Sequence, residues 1–203
     1  MEVSVDLLRD HIPYYLTQNQ KEGLRRALED FSQKGESASY YTTHHQGELL
    51  QGDGWDALEI VQFKDTRRIS TKGILLSNTC DMDIANKRER PPNIVFAPLI
   101  SLSRYRELLI SQCLPVDVIS SKIESIRRQE VTSVFYLPKG GELFDEYIAY
   151  FDDIHTIPVD YFDCLDCEQN LFTLSQFGFY MFLFKISVHF CRFHENVVRD
   201  STQ

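Results

Sequence analysis

GILLSNT at residues 73–79 and NIVFAPLI at residues 93–100 are two short, mostly apolar runs in the middle of the chain. Runs of this length, bounded by polar residues or proline, are typical of buried strands. Between them, Asn86–Pro92 is charged and contains prolines, which predicts a loop. Pro98 lies near the end of the second run and indicates a strand end or a sheet edge. We therefore expect 73–79 and 93–100 to be neighbouring strands of one sheet.

Further short apolar runs alternate with helical patterns in the rest of the chain. Strands are predicted at Leu58–Phe63, Val131–Leu137, Glu146–Phe151 and Ile154–Tyr161, with turns at Gly52–Gly54 and Pro138–Gly141. Helices are predicted at Thr17–Gly35, Ser103–Ser111, Asp117–Arg128 and Leu174–Val198. Several short strands with inserted helices favour an α+β fold, in which a small, twisted, mostly antiparallel β-barrel is flanked by about four helices.

The length of 203 residues suits a single domain. We expect a helical segment at 1–40, a barrel at 41–162 with inserted helices at 103–128, and a long C-terminal helix at 171–203 packed on the barrel. Phe177–Phe193 is strongly apolar, but Lys185, His189 and Arg192 interrupt it. We interpret this stretch as a buried helix and not as a membrane span, which needs about 20 mainly apolar residues.

The charge balance limits the classes of partner. The formal net charge is −9 and the pI is about 5.1. A protein that coats nucleic acid by charge alone needs excess Lys and Arg, so binding of RNA or DNA would require a local groove. An acidic chain also suits docking on a basic partner. The five cysteines form an odd set without disulfide spacing, and Met1–Asp10 carries no apolar signal segment, which indicates reduced thiols in the cytoplasm.

Three central segments follow one another in a familiar order: Gly52–Asp53, Lys72–Asn78 and Ile94–Ser101. This order resembles the PemK/MazF-like proteins, which show a Gly-Asp start, an Arg-Pro strand ending in Leu-Ser-Asn, and a strand ending in Ala-Pro-Ile-Thr-Ser. The resemblance covers about a quarter of the chain. It implies an SH3-like barrel. Many members of that family are growth-inhibiting endoribonucleases paired with antitoxins, and the resemblance implies RNA as a partner.

Two positions depart from the family pattern. Lys72, followed by Gly73, stands where the family has its catalytic Arg and a Pro. Ile100, followed by Ser101, stands where the family has its Thr. A lysine stabilises negative charge but lacks the planar, two-pronged donor set of arginine, and isoleucine cannot donate a proton. These departures favour a binding module over a nuclease.

The candidate site residues come from the central strands and the last helix. The catalytic candidates are Lys72, Cys80, Asp81, His189 and Arg192, and the ligand-binding candidates are Asp53, Ser77, Ser101, Glu195 and Arg199. Cys80 and Asp81 follow the first buried run, where strand ends display functional groups. Two interpretations stand there: a reactive thiol or carboxylate at the barrel mouth, which needs a cationic neighbour, or a buried cysteine beside an aspartate that caps the next turn.

A polar stripe marks the last predicted helix. Lys185, His189, Arg192, Asn196 and Arg199 recur at steps of four and three, which places them on one face. One interpretation is a salt-bridge seam in which the arginines pair with barrel acids, namely Asp53, Asp81 or Asp83. The other is an anion pocket completed by Lys72, in which His189 serves as a general acid or base. Cys164 and Cys167 are half of a zinc site, and neither a metal site nor a cofactor is predicted.

Three functions remain open. The first is a non-catalytic module that binds nucleic acid or a protein, such as an antitoxin-like partner or a complex subunit, in a toxin–antitoxin or phage-defence system. The second is an endoribonuclease toxin. The third is an unrelated hydrolase built on Cys80, Asp81 and His189. A homodimer and the absence of a membrane partner are compatible with all three.

Overall fold

A computed structural model describes residues 18–19, 21–23, 25–26, 39–45, 48–62, 64–83, 85–86, 89–164 and 169–191. The strands are β1 (Tyr41–Thr42), β2 (Gly54–Val61), β3 (Arg68–Leu75), β4 (Asn93–Ser101), β5 (Val134–Leu137), β6 (Tyr147–Tyr150), β7 (His155–Pro158) and β8 (Asn170–Leu174). The helices are α1 (Thr79–Met82), α2 (Leu102–Ser111), α3 (Val116–Arg127) and α4 (Gln176–Phe190), with a 3-10 helix at Val159–Cys164. The described residues between 18 and 26 are also helical, whereas the predicted ends of that helix, Thr17 and Gly35, lie outside the described residues.

The eight strands form one antiparallel, curled sheet in the order β1-β8-β2-β3-β4-β6-β5, with β7 also paired to β4. The two central runs are neighbours as predicted, since Gly73 pairs with Pro98 and Leu75 pairs with Phe96. The first of these strands lies earlier in the chain than expected. β3 ends at Leu75, residues 76 and 77 continue only with hydrogen bonds to Val95 of β4, and a helix begins at Thr79. The α+β class and the antiparallel sheet are confirmed, and the SH3-like barrel stays a prediction.

Pro98 does not end its strand, which runs on to Ser101. One edge of β4 pairs with β3, and the opposite edge pairs first with β7, as far as Phe96, and then with β6, from Leu99 onward. Pro98 lies at the step between these two partners. Within sheets, proline is confined to such irregular or edge positions because it has no N–H to donate to the ladder.

β8 is a strand that the sequence analysis missed. Residues 170–174 were expected at the start of the C-terminal helix, but they form a strand between β1 and β2, and α4 begins only at Gln176. Ser175 is the N-cap, and its hydroxyl accepts a hydrogen bond from Gly178 N–H at 3.1 Å. The run NLFTL is short and apolar, and periodicity alone does not separate such a strand from the first turn of an apolar helix.

Three hydrophobic clusters hold the helices on the sheet. One packs α4 over the sheet through Phe182, Phe135 and Phe151. A second packs α2 and α3 against β5 and β6, and it contains the predicted isoleucine face of α3, Ile119, Ile123 and Ile126. The third surrounds Trp55, Phe96 and Met82 on the other part of the sheet. Among the residues that the structure describes, no helix is both long and apolar enough to cross a lipid bilayer.

Candidate functional site

Lys72, a predicted catalytic candidate, faces a β-bulge. Between Trp55 and Leu58 the register of β2 against β3 shifts by one, so that Asp56 and Ala57 lie opposite Lys72. The Nζ of Lys72 donates to Oδ2 of Asp56, while Oδ1 of Asp56 accepts from Ala57 N–H at 2.8 Å. Partial burial raises the pKa of Asp56, but the hydrogen bonds from Lys72 and Ala57 and the lysine charge outweigh it and lower that pKa. The ammonium group is thus held in an ion pair within the fold.

Ser77, Ser101 and Ile100 also have structural roles. The Ser77 hydroxyl accepts from Val95 N–H at 2.8 Å and joins the end of β3 to β4. The Ser101 hydroxyl caps α2 by accepting from Arg104 N–H at 3.2 Å. Ile100 pairs with Ile148 across β4 and β6 and packs against the α2–α3 cluster. These contacts give each of the three side chains a structural role that requires no catalytic function.

Cys80 and Asp81 lie on α1, a helix of four residues, and both are exposed. The Asn78 side chain caps this helix by accepting from Cys80 N–H at 3.0 Å. Cys80 and Asp81, which were predicted at a barrel mouth, therefore lie on a short exposed helix after β3.

The polar stripe of α4 contains a buried lysine and a largely buried histidine beside an exposed aspartate. Lys185 is 3% exposed, and its Nζ donates to the carbonyl oxygens of Gln129, at 2.9 Å, and Val131. Burial lowers the pKa of Lys185 to about 8. His189 lies 3.5 Å from an Asp152 carboxylate oxygen. The remaining candidates of the stripe lie outside the described residues: Arg192, Glu195, Asn196 and Arg199.

Cys80, on α1, lies near the amino end of α4, whereas His189 lies near the carboxyl end of that helix. Thr79, the neighbour of Cys80, lines the same cleft as Gln176 and Phe179 at the amino end of α4. His189 follows Phe179 by ten residues, which is about 15 Å along a helix axis. This placement separates the cysteine and the histidine of the hydrolase hypothesis by far more than a hydrogen bond.

The cleft at the amino end of α4 has a volume of about 230 Å³. Its lining comes from the turn before β2, α1, β8 and the first turn of α4: Leu50, Gln51, Asp53, Thr79, Thr173, Leu174, Ser175, Gln176 and Phe179. Asp53 and Thr173 are 1% and 2% exposed and form the floor, while Phe179 is half-buried at the rim. A wall that combines apolar surface with a few polar groups and one aromatic side chain is typical of a site that orients a small ligand group.

Two buried polar atoms of this floor have no hydrogen-bond partner among the described residues, namely Oδ1 of Asp53 and Oγ1 of Thr173. The Thr173 hydroxyl lies beside the carboxyl, although the two groups do not have hydrogen-bond geometry. Oδ2 of Asp53 accepts weakly from Leu50 N–H at 3.4 Å and from the Asn170 amide at 3.5 Å. Buried polar groups in folded proteins are nearly always paired, so this couple marks the cleft as a candidate position for hydrogen bonds to a ligand.

Burial raises the pKa of Asp53 to about 8, and the nearby charge of Glu48 adds to the rise. The hydrogen bonds from Leu50 and Asn170 and the adjacent Thr173 hydroxyl lower that pKa only in part. The carboxyl is therefore largely protonated at neutral pH. A strongly shifted acid in a cleft is a recognised marker of function.

Sequence analysis identified one half of this floor. Asp53 was a candidate through the Gly-Asp motif, whereas Thr173, Gln176 and Phe179 were not identified. Thr173 was missed because β8 was not predicted. Assigning Asn170–Leu174 as a strand would have identified Thr173 as a candidate. Side chains alternate between the two faces of a strand, so the assignment places Thr173 on a defined face of the sheet. No family model matches the chain, and no curated protein is significantly similar to it.

Proposed function

We propose that this protein is a non-catalytic module that binds single-stranded RNA, and that the cleft over Asp53 and Thr173 holds one unstacked base. The observation that carries the proposal is the pair of buried, unpaired polar atoms on the cleft floor beside the half-buried ring of Phe179. Proteins that read single-stranded RNA place splayed bases on aromatic side chains and hydrogen-bond their edges.

Lys72 and Ile100, which stand where PemK/MazF-like proteins have catalytic residues, have contacts that support binding over cleavage. Lys72 is engaged by Asp56, and Ile100 packs in the sheet. A phosphoryl-transfer site needs free donors aimed at the reacting phosphate, and neither position supplies one. The distance along α4 between the cleft and His189 argues in the same way against a hydrolase built on Cys80 and His189.

The test is fluorescence anisotropy with a short, labelled, single-stranded RNA of mixed sequence, followed by a denaturing gel of the same sample. We expect saturable binding, intact RNA, and weaker binding by Thr173→Val, which keeps the shape of the side chain and removes its hydroxyl. Lys72→Ala serves as the matched control and should bind as the wild type does. Fragmented RNA would establish the endoribonuclease alternative, and no binding would favour the protein-partner alternative.

A further inference from the structure

We infer that the cleft selects bases whose edge carries a ring-nitrogen acceptor beside an exocyclic amino group, as in adenine and cytosine, and that Asp53 and Thr173 determine this specificity. The inference rests on the RNA binding proposed above and adds what the site reads.

The hydrogen-bond partners of Asp53 leave one oxygen for a ligand. Oδ2 already accepts from the Leu50 N–H and the Asn170 amide, whereas Oδ1 has no partner in the part of the chain that the structure describes. Oγ1 of Thr173, on the adjacent strand β8, has none either. A ligand that pairs both atoms would give each of them the hydrogen bond that the described residues do not supply.

The protonation of Asp53 sets the direction of one of these hydrogen bonds. Glu48 is the charged group that acts on Asp53 among the described residues, and no described cation offsets it. With the proton on Asp53, Oδ1–H is a donor, and it sits on the oxygen that lacks donors from the protein. The Thr173 hydroxyl can then accept from an amino group, since a hydroxyl both donates and accepts.

This donor–acceptor pair matches some bases and opposes others. Adenine presents N1 and its 6-amino group, and cytosine presents N3 and its 4-amino group, which complement Oδ1–H of Asp53 and Oγ1 of Thr173. Guanine and uracil present a ring N–H at the corresponding place, so that two donors would face each other. A site built for one hydrogen-bonding edge rejects the edge that leaves a buried group unpaired.

The electrostatics of the cleft favour an uncharged group. The amino end of α4, at Ser175 and Gln176, carries the partial positive charge of the helix dipole and disfavours a cation. Glu48 disfavours an anion. A neutral ring that can lie against Phe179 satisfies both conditions.

The experiment titrates protein carrying ¹³C-methyl threonine with adenosine, cytidine, guanosine and uridine, and follows the methyl signals of Thr173 and Thr79, the threonines of the cleft. At about pH 6 we expect adenosine and cytidine to move the Thr173 signal with about tenfold higher affinity than guanosine and uridine. At about pH 8.5 the ionised carboxylate of the wild type should lose most of this preference.

Asp53→Asn is the matched variant, because its amide nitrogen places a permanent donor where Oδ1–H lies. It should keep the preference for adenosine and cytidine at both pH values, a result that a merely structural role for Asp53 does not predict. Equal affinities for the four nucleosides, or no movement of the Thr173 signal by any of them, would overturn the inference even if RNA binds. Selective nucleoside binding without RNA binding would support the inference and reject the proposed function.

Discussion

Replacing Asp53 by asparagine should remove a large part of the pH dependence of stability. The change keeps the size of the side chain, puts a carbonyl oxygen where Oδ2 accepts from Leu50 and Asn170, and puts an amide nitrogen where Oδ1 has no partner. The wild-type carboxyl holds its proton up to a pKa of about 8 in the folded protein and releases it near 3.8 when the chain unfolds. The folded state thus binds more protons between these values, and the stabilisation is lost as pH rises through this window.

The size of the effect follows from the two pKa values of Asp53. One pKa unit corresponds to about 1.36 kcal/mol, so a rise from 3.8 to about 8 sets an upper limit of roughly 6 kcal/mol. Between about pH 5 and pH 8 the wild type should lose several kcal/mol from this group, out of a total stability of about 5–15 kcal/mol. The asparagine variant lacks a titrating group here, so it should be more stable than the wild type above about pH 8.

The assay is urea unfolding followed by circular dichroism at several values between about pH 5 and pH 9. Asp160→Asn, at an exposed position of the 3-10 helix, is the control and should keep the wild-type slope. Equal slopes for the wild type and Asp53→Asn would refute the claim that a buried, protonated carboxyl lies at this position.

Three other substitutions test the packing around the site. Burial lowers the pKa of Lys185, so the unfolded state binds this proton more tightly and the wild type should become more stable between about pH 8 and pH 10.5. Lys185→Met should abolish this rise, which thermal unfolding at both pH values would measure. Phe182→Ala, at a fully buried ring between α4 and the sheet, should destabilise by about 3–5 kcal/mol in urea, and a loss below 1 kcal/mol would contradict the packing. Glu146→Gln should cost about 1–3 kcal/mol at neutral pH, since the carboxylate accepts two hydrogen bonds from Arg127, at 2.8 and 2.7 Å, and one from Tyr136. These hydrogen bonds lower the pKa of Glu146, so the difference from the wild type should shrink as pH falls below 4.5, and a constant difference would argue against the ion pair.

Local signals in the sequence predicted much of the sheet and the helices on it. The β3–β4 pair lies in two apolar runs, and the inward face of α3 follows from isoleucines at helical spacing. The same signals failed at Asn170–Leu174, where an apolar strand runs almost directly into an apolar helix. Only pairing with β1 and β2, which come more than a hundred residues earlier, determines that this segment is a strand.

The candidate site also combines features that the sequence predicted with features that only the tertiary structure shows. By itself, the amino-acid sequence determined the α+β class, the neighbouring central strands and a Gly-Asp pair worth attention, because each depends on residues close together in the chain. The tertiary structure decided that Lys72 is neutralised by Asp56, that Lys185 is an anchor, and that Asp53 meets Thr173 on the floor of a cleft. Burial and the lack of a partner arise only when distant segments pack together, and those two conditions shift the pKa of Asp53 and leave its oxygen for a ligand.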